Sequence, residues 1–116
     1  MHGVDAAEFE RLVVEQLDLL PDDVMNRLVN VGFVTEDRPA DGSLGLLGEY
    51  DGVDITRRAD YGFGELPDRI VLYREPLLAH CTGLEDLKEQ IHVTLVHEIG
   101  HYFGIDDAEL HDLGWG

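Results

Sequence analysis

Eleven consecutive residues decide the fold of this chain: His97-Glu98-Ile99-Gly100-His101-Tyr102-Phe103-Gly104-Ile105-Asp106-Asp107. They follow the pattern H-E-x-x-H-x-x-G-x-x-D. On an α-helix, residues four positions apart lie about 40° apart around the axis. His97 and His101 therefore present two imidazoles from one face, at a separation that one zinc ion can bridge. Glu98 lies beside them, and Gly104 can end the helix in a left-handed conformation. A carboxylate a few residues later can then return to the same metal.

The residues around the motif are apolar. One helical stripe is predicted to face a core and consists of Leu84, Leu87, Ile91, Leu95 and Tyr102. Much of the remaining circumference is covered by Val96, Ile99 and Phe103, so the second half of the helix is predicted to be buried nearly all round. Buried polar side chains need partners. The pattern therefore favours a metal site over the alternative, two core histidines that are hydrogen-bonded to backbone.

The motif resembles that of the bacterial family of small zincin-like metallopeptidases, whose hallmark is H-E-x-x-H-x-x-G-x-x-D close to the C-terminus. The resemblance extends upstream to an apolar strand ending in Tyr73-Arg74-Glu75-Pro76-Leu77 and covers most of residues 5–114. It implies a minimal zincin fold and zinc-dependent peptidase activity, with no known substrate. It also implies that His97, His101 and Asp107 are the zinc ligands and that Glu98 is the catalytic base. Larger zincins of the metzincin type have a methionine-containing turn below the metal, whereas no methionine follows Asp107 here.

Composition and charge limit the partners that we expect. At 116 residues the chain is predicted to form one domain, residues 1–116. Its formal net charge is −17, which disfavours both nucleic acid and anionic membranes as partners. The single cysteine, Cys81, excludes an internal disulfide and fits a reducing compartment. With no export signal or membrane-spanning run in the sequence, a cytoplasmic location is expected. No pattern indicates an oligomeric state.

The rest of the sequence predicts an α+β domain, a small twisted mixed sheet of three to four strands packed on an N-terminal helix and on the long motif helix. Asp5 is predicted to cap the first helix, which Pro21 stops. Strands are predicted from Val29 to before Pro39, at 46–50 and at 68–74. Short helical turns are predicted at 22–27 and 77–81. The motif helix is predicted to start with a capping box, Thr82-Gly83-Leu84-Glu85.

The sequence also predicts, less directly, which two segments lie around the site. Residues 53–68 form the longest irregular stretch and include Arg57 and Arg58. They form either a rim over the site, with Tyr61 or Phe63 as a wall, or a surface connection, which is the interpretation that we favour. In zincins generally, the strand that borders the cleft pairs with an extended peptide substrate. The strand at 68–74 is the candidate for this role because it directly precedes the motif helix.

Other polar side chains are secondary candidates. His80 and His111 are the remaining histidines best able to approach the site, although an exposed surface position is favoured for His111. The oxyanion donor is predicted to be Tyr102, Tyr73 or His111. His92 points away from His101, and His2 lies in a terminus that is expected to fray. Cys81 is predicted to be a small buried side chain.

The predicted function is hydrolysis of peptide bonds by a metallopeptidase with Zn²⁺ as cofactor and a peptide or protein as substrate. Glu98 takes the proton of the attacking water and passes it to the leaving amine. One alternative is a zinc-binding interaction module without efficient catalysis, which the missing methionine turn favours. The other is a metal-dependent endoribonuclease, because a small bacterial rRNA-processing family has two histidines four apart and a third ligand at the same tenth position. That family lacks the glutamate, and a net charge of −17 disfavours RNA.

Overall fold

The computed structural model describes residues 1–52, 68–105 and 108. Within them, four helices and three strands follow one another as α1 (Ala6–Asp18), α2 (Asp22–Met25), β1 (Val31–Glu36), β2 (Gly48–Asp51), β3 (Asp68–Tyr73), α3 (Arg74–His80) and α4 (Leu84–Tyr102). No helix among these residues is long and apolar enough to cross a membrane. The predicted α+β class is confirmed.

Helix α1 begins as predicted. The Asp5 side chain accepts a hydrogen bond from the Glu8 N–H at 2.8 Å, which satisfies one of the backbone donors that a helix start leaves without a partner. Its apolar face is buried through Phe9, Leu12 and Val13. This face packs on α4, so the two principal helices share one core.

The three described strands form a mixed sheet in the order β1-β3-β2. β1 pairs with β3 in parallel, from Val31 opposite Asp68 to Glu36 opposite Tyr73. β2 pairs with β3 antiparallel, from Gly48 opposite Leu72 to Asp51 opposite Arg69. β3 therefore has a partner on each side, and its residues 70–73 are at most 4% exposed.

This topology corrects the prediction for the substrate-pairing strand. A central strand has both rows of backbone groups engaged, so β3 cannot add a peptide. Among the described strands, β2 lies at the edge of the sheet and beside α4. Proximity in sequence to the motif helix was therefore a misleading signal, because β3, the strand nearest to that helix in sequence, is the central strand of the sheet.

The boundaries of β1 and β3 also differ from the predicted ones. β1 starts at Val31, since Asn30 adopts a positive φ of 57° that interrupts an extended strand. β3 ends at Tyr73, and α3 begins at Arg74 rather than at residue 77. Pro76 does not end strand pairing as predicted, but is the third residue of this helix, where no backbone N–H is needed for a helical bond.

The predicted capping box at the start of α4 does not form. The N-cap residue is Gly83, without a side-chain cap, and the partner of Thr82 is Asp86, whose carboxylate accepts from the Thr82 N–H at 3.0 Å. Leu84, predicted to be in the core stripe, is 44% exposed. As the first helical residue it points back toward the helix start, beyond the edge of the core. The rest of the predicted stripe is confirmed, because Leu87, Ile91, Leu95 and Tyr102 are fully buried.

Candidate metal centre

The two histidines and the glutamate of the motif converge near the end of α4. One ligating atom each from His97, Glu98 and His101 can be chosen so that all three lie within 4.8 Å of one another. The two imidazole ring centroids are 4.6 Å apart, with the ring planes at 77°. This is the arrangement that the spacing of four residues predicts on a helix.

Glu98 is buried and hydrogen-bonded within the site. Its surface is only 6% exposed, and its Oε1 lies 2.9 Å from Nδ1 of His101. A buried carboxylate needs such a partner, because an unpaired charge is costly away from water. Proton transfer is therefore not the only reason for a glutamate at this position. Glu98 can also hold the ring of His101 in one orientation.

The separations within this group suit a metal ion. Nitrogen ligands stand about 2.0–2.1 Å from zinc, and therefore roughly 3.4 Å from each other in a tetrahedral site. Atoms that already lie within 4.8 Å reach this value by small rotations of the side chains. Coordination through Nε2 of His101 is compatible with its hydrogen bond to Glu98. The residues thus fit a metal, and their nitrogen and oxygen donors are those that zinc accepts.

The helix ends as the motif predicts. Gly104 has a φ of +81°, its N–H donates to the His101 carbonyl at 2.9 Å, and the Ile105 N–H donates to the Gly100 carbonyl at 3.0 Å. These two bonds form a Schellman motif, which reverses the chain direction at the end of a helix. Asp106 and Asp107 lie outside the described residues, so the third ligand stays a prediction.

Strand β2 supplies one neighbour of the site that sequence reasoning missed, Gly48. A Cβ atom added to Gly48 would lie 2.6 Å from Cγ2 of Thr94, 3.0 Å from the Val71 carbonyl oxygen and 3.7 Å from Cγ of Glu98. The backbone of β2 therefore lies directly against the motif helix beside Glu98. The available signal was a glycine in a predicted strand, which often marks a close approach of two backbones.

The two tyrosines proposed as oxyanion donors are engaged elsewhere. The Tyr102 hydroxyl accepts from the Val29 N–H at 3.1 Å, and its fully buried ring packs edge-on against Tyr50 at 6.2 Å. The Tyr73 hydroxyl donates to Glu49 at 2.9 Å. Burial, together with this hydrogen bond, raises the pKa of Tyr73 to about 12. Both residues thus have structural roles.

The remaining candidates do not join the described group. Neither His80 nor His92 is a member of it. Cys81 is buried as predicted, and burial raises the pKa of its thiol, as expected for an unreactive side chain. His111 lies outside the described residues, as do Tyr61 and Phe63 with almost all of the 53–68 stretch, so their roles stay predictions.

A larger cavity of about 530 Å³ lies on the opposite face of α4. Its walls include Val24, Val96 and Phe103, and its polar lining consists mainly of Arg27 and His92. The described lining contains no carboxylate and only one imidazole, so this cavity cannot hold a metal in the way that the motif can. His97 and Glu98 line a smaller cavity of about 270 Å³ on the other face of the helix.

The comparisons with known proteins agree with this site. Residues 28–115 match the family of zincin-like metallopeptidases, and the chain therefore belongs to this family. A solved structure of a conserved hypothetical protein from Thermus thermophilus is similar over 95% of this chain and 97% of its own, with a TM-score of 0.58 and 27% sequence identity. No curated protein matches the sequence. The family thus defines the class of protein, and the substrate has to be inferred from the site.

Proposed function

We propose that this protein is a zinc-dependent peptidase in which His97, His101 and Asp107 hold Zn²⁺ and Glu98 is the catalytic base. The observation that carries the proposal is the convergence of His97, Glu98 and His101 within 4.8 Å in the second half of α4, where most residues are buried. When bound, zinc supplies Lewis acidity toward a substrate carbonyl and lowers the pKa of water.

The chain's own residues supply the proton transfer. Glu98 takes the proton from the attacking water and delivers it to the leaving amine. Its burial, at 6% exposure, keeps bulk water from competing for that proton. The hydrogen bond that the Glu98 carboxylate accepts from Nδ1 of His101 holds the carboxylate within reach of both imidazoles before the substrate arrives.

A second candidate function is a zinc-binding interaction module that does not hydrolyse peptides. The observation in its favour is the 2.9 Å contact between Glu98 and His101, which gives the glutamate a role that does not require catalysis. No observation favours the endoribonuclease alternative, because the family match and the acidic charge both argue against RNA.

Two substitutions of Glu98 separate these candidates. Glu98→Gln keeps an oxygen acceptor for His101 but removes the base. It should therefore retain zinc while peptide hydrolysis falls by about 10²-fold or more. Glu98→Ala also removes the acceptor and should weaken zinc binding by about 10- to 100-fold, as expected when an outer partner of a ligand is lost. Zinc content by elemental analysis and cleavage of a peptide library are the measurements.

The ligand variants serve as controls for the same assay. His97→Ala and His101→Ala should lose zinc, and Asp107→Ala should lose far more affinity than Asp106→Ala. Equal cleavage by wild type and Glu98→Gln would assign the activity to other residues or to a contaminant. If zinc-loaded wild type cuts no peptide at all, the interaction module is the better function.

A further inference from the structure

A small apolar notch opens beside the candidate metal centre. It has a volume of about 270 Å³ and lies between the segment that leads into β2 and the exposed side of α4. Leu46 and Leu47 line one side, Val93 lines the other, and His97 with Glu98 close the end toward the metal. Leu46 and Val93 are each 39% exposed. Large apolar side chains that are exposed next to a reactive group mark a surface for a ligand.

The notch borders the outer edge of the described sheet. The Tyr73 N–H donates to the Leu47 carbonyl at 3.0 Å, and hydrogen-bonded pairs alternate along an antiparallel ladder. Gly48, the next residue, therefore directs its own N–H and carbonyl away from β3. A side chain at Gly48 would point at Thr94 and Glu98, and Gly48 is buried. The surface that is open to a ligand beside Glu98 is therefore the notch and not the backbone of β2.

The charges around the notch are negative. β2 carries two exposed carboxylates: Glu49, which accepts from the Tyr73 hydroxyl, and Asp51, which pairs with Arg69 at 3.0 Å. Lys88 lines the same cavity as Asp86 and Glu89, away from the notch, and its partners there are Glu15 and Glu85 at 3.5 and 3.9 Å. The whole chain has a net charge of −17. Such a field attracts cations and repels anions before any contact is made.

We propose that the substrate is a cationic peptide segment that places one large apolar side chain in the notch between Leu46 and Val93. This proposal rests on the proposed function, because the notch leads to the metal centre. The apolar side chain sets the position of the peptide, and the positive charges on either side of it raise the rate of encounter.

The test uses four short fluorescent peptides and the zinc-loaded Glu98→Gln protein, which binds without cleaving. The peptides combine either Leu or Ser at the centre with either Lys or Glu at the flanks. The peptide with Leu and Lys should bind about 10-fold more tightly than its Ser counterpart. It should also bind more tightly than the peptide with Glu flanks, by a margin that shrinks as salt is added.

Variants of the notch connect this preference to named residues. Leu46→Ser and Val93→Ser should remove the advantage of the Leu peptide. Leu84→Ser and Val14→Ser change similarly exposed apolar side chains elsewhere, at 44% and 49% exposure, and should leave the advantage intact. The proposal is overturned if the Leu preference survives both notch variants, or if the peptides with Glu flanks bind as well at low salt.

Cleavage by the wild-type protein separates this proposal from the proposed function. Cleavage of all four peptides at equal rates would contradict the proposed role of the notch and would support the peptidase function. If the peptides bind with the expected preference but zinc-loaded wild type does not cleave them, the result would support the notch as a binding site and contradict the peptidase function.

Discussion

Gly48 is the residue at which the sheet and the motif helix come closest. The nearest atoms to a Cβ added there belong to Thr94, Val71 and Glu98, so the position has no room for a methyl group. Close contact between β2 and α4 therefore fixes the position of Glu98 relative to the edge of the sheet. The residue contributes to the site by the absence of a side chain.

Gly48→Ala should destabilise the protein by about 1–3 kcal/mol, the usual cost of overpacking a tight contact. Thr94→Ser removes only Cγ2, the nearest of the clashing atoms, so the double variant Gly48→Ala/Thr94→Ser should recover part of this loss. Urea unfolding of the four proteins measures the coupling. Equal stability of Gly48→Ala and wild type would show that β2 is not held against α4.

Among the helices and strands, α4 is the one whose C-terminal end matters most for the candidate site. The Schellman motif at Gly104 directs the chain away from the helix axis just before the predicted third ligand. A φ of +81° is a conformation that glycine adopts readily and alanine does not. The helix end thus serves both stability and the direction of the chain that follows.

Gly104→Ala should lower the free energy of unfolding by about 1 kcal/mol because of this conformational cost. It should also weaken zinc binding if Asp107 is a ligand, since the turn then changes. Gly83→Ala is the matched control at the other end of α4, where the backbone is extended and a Cβ meets nothing within 4 Å. Thermal melting and zinc titration of both variants are the measurements, and an equal loss in the two would contradict the role assigned to the turn.

Helices were easier to predict from this sequence than strand pairing. The His97–His101 spacing, the Asp5 cap and the glycine at 104 are local signals, and the structure confirms each of them. The order of the strands depends on contacts between distant residues, which local patterns do not encode. β3 was therefore placed at the cleft by its sequence position, although it lies at the centre of the sheet. The tight approach of Gly48 to Thr94 has the same long-range origin.

For the molecule as a whole, repulsion between like charges opposes the compact folded state. Twenty-five carboxylates and eight basic residues leave a net charge of −17. The described ion pairs, such as Arg69 with Asp51 at 3.0 Å and Arg74 with Asp37 at 3.0 Å, involve partly exposed side chains. Pairs of this kind contribute about 0–1 kcal/mol each. Repulsion costs about 0.4 kcal/mol for each pair of like charges 10 Å apart in water, and a large excess of one sign makes many such pairs.

Repulsion should therefore outweigh the ion pairs, and added salt should raise the melting temperature by several degrees. Calorimetry in rising concentrations of NaCl measures the effect. KCl at the same ionic strength is the control, because screening depends on charge and not on the identity of the ion. A melting temperature that falls with salt would mean that ion pairs dominate the balance.

During synthesis on the ribosome, β1 and β2 emerge before the strand to which both of them pair. They lie on opposite sides of β3 in the finished sheet, so a nascent chain that ends before residue 68 has two strands without a common partner. The described sheet can assemble only when the central strand arrives, and the helix with the two histidines follows after α3. The two histidines of the motif therefore emerge only after every strand of the described sheet has been synthesised.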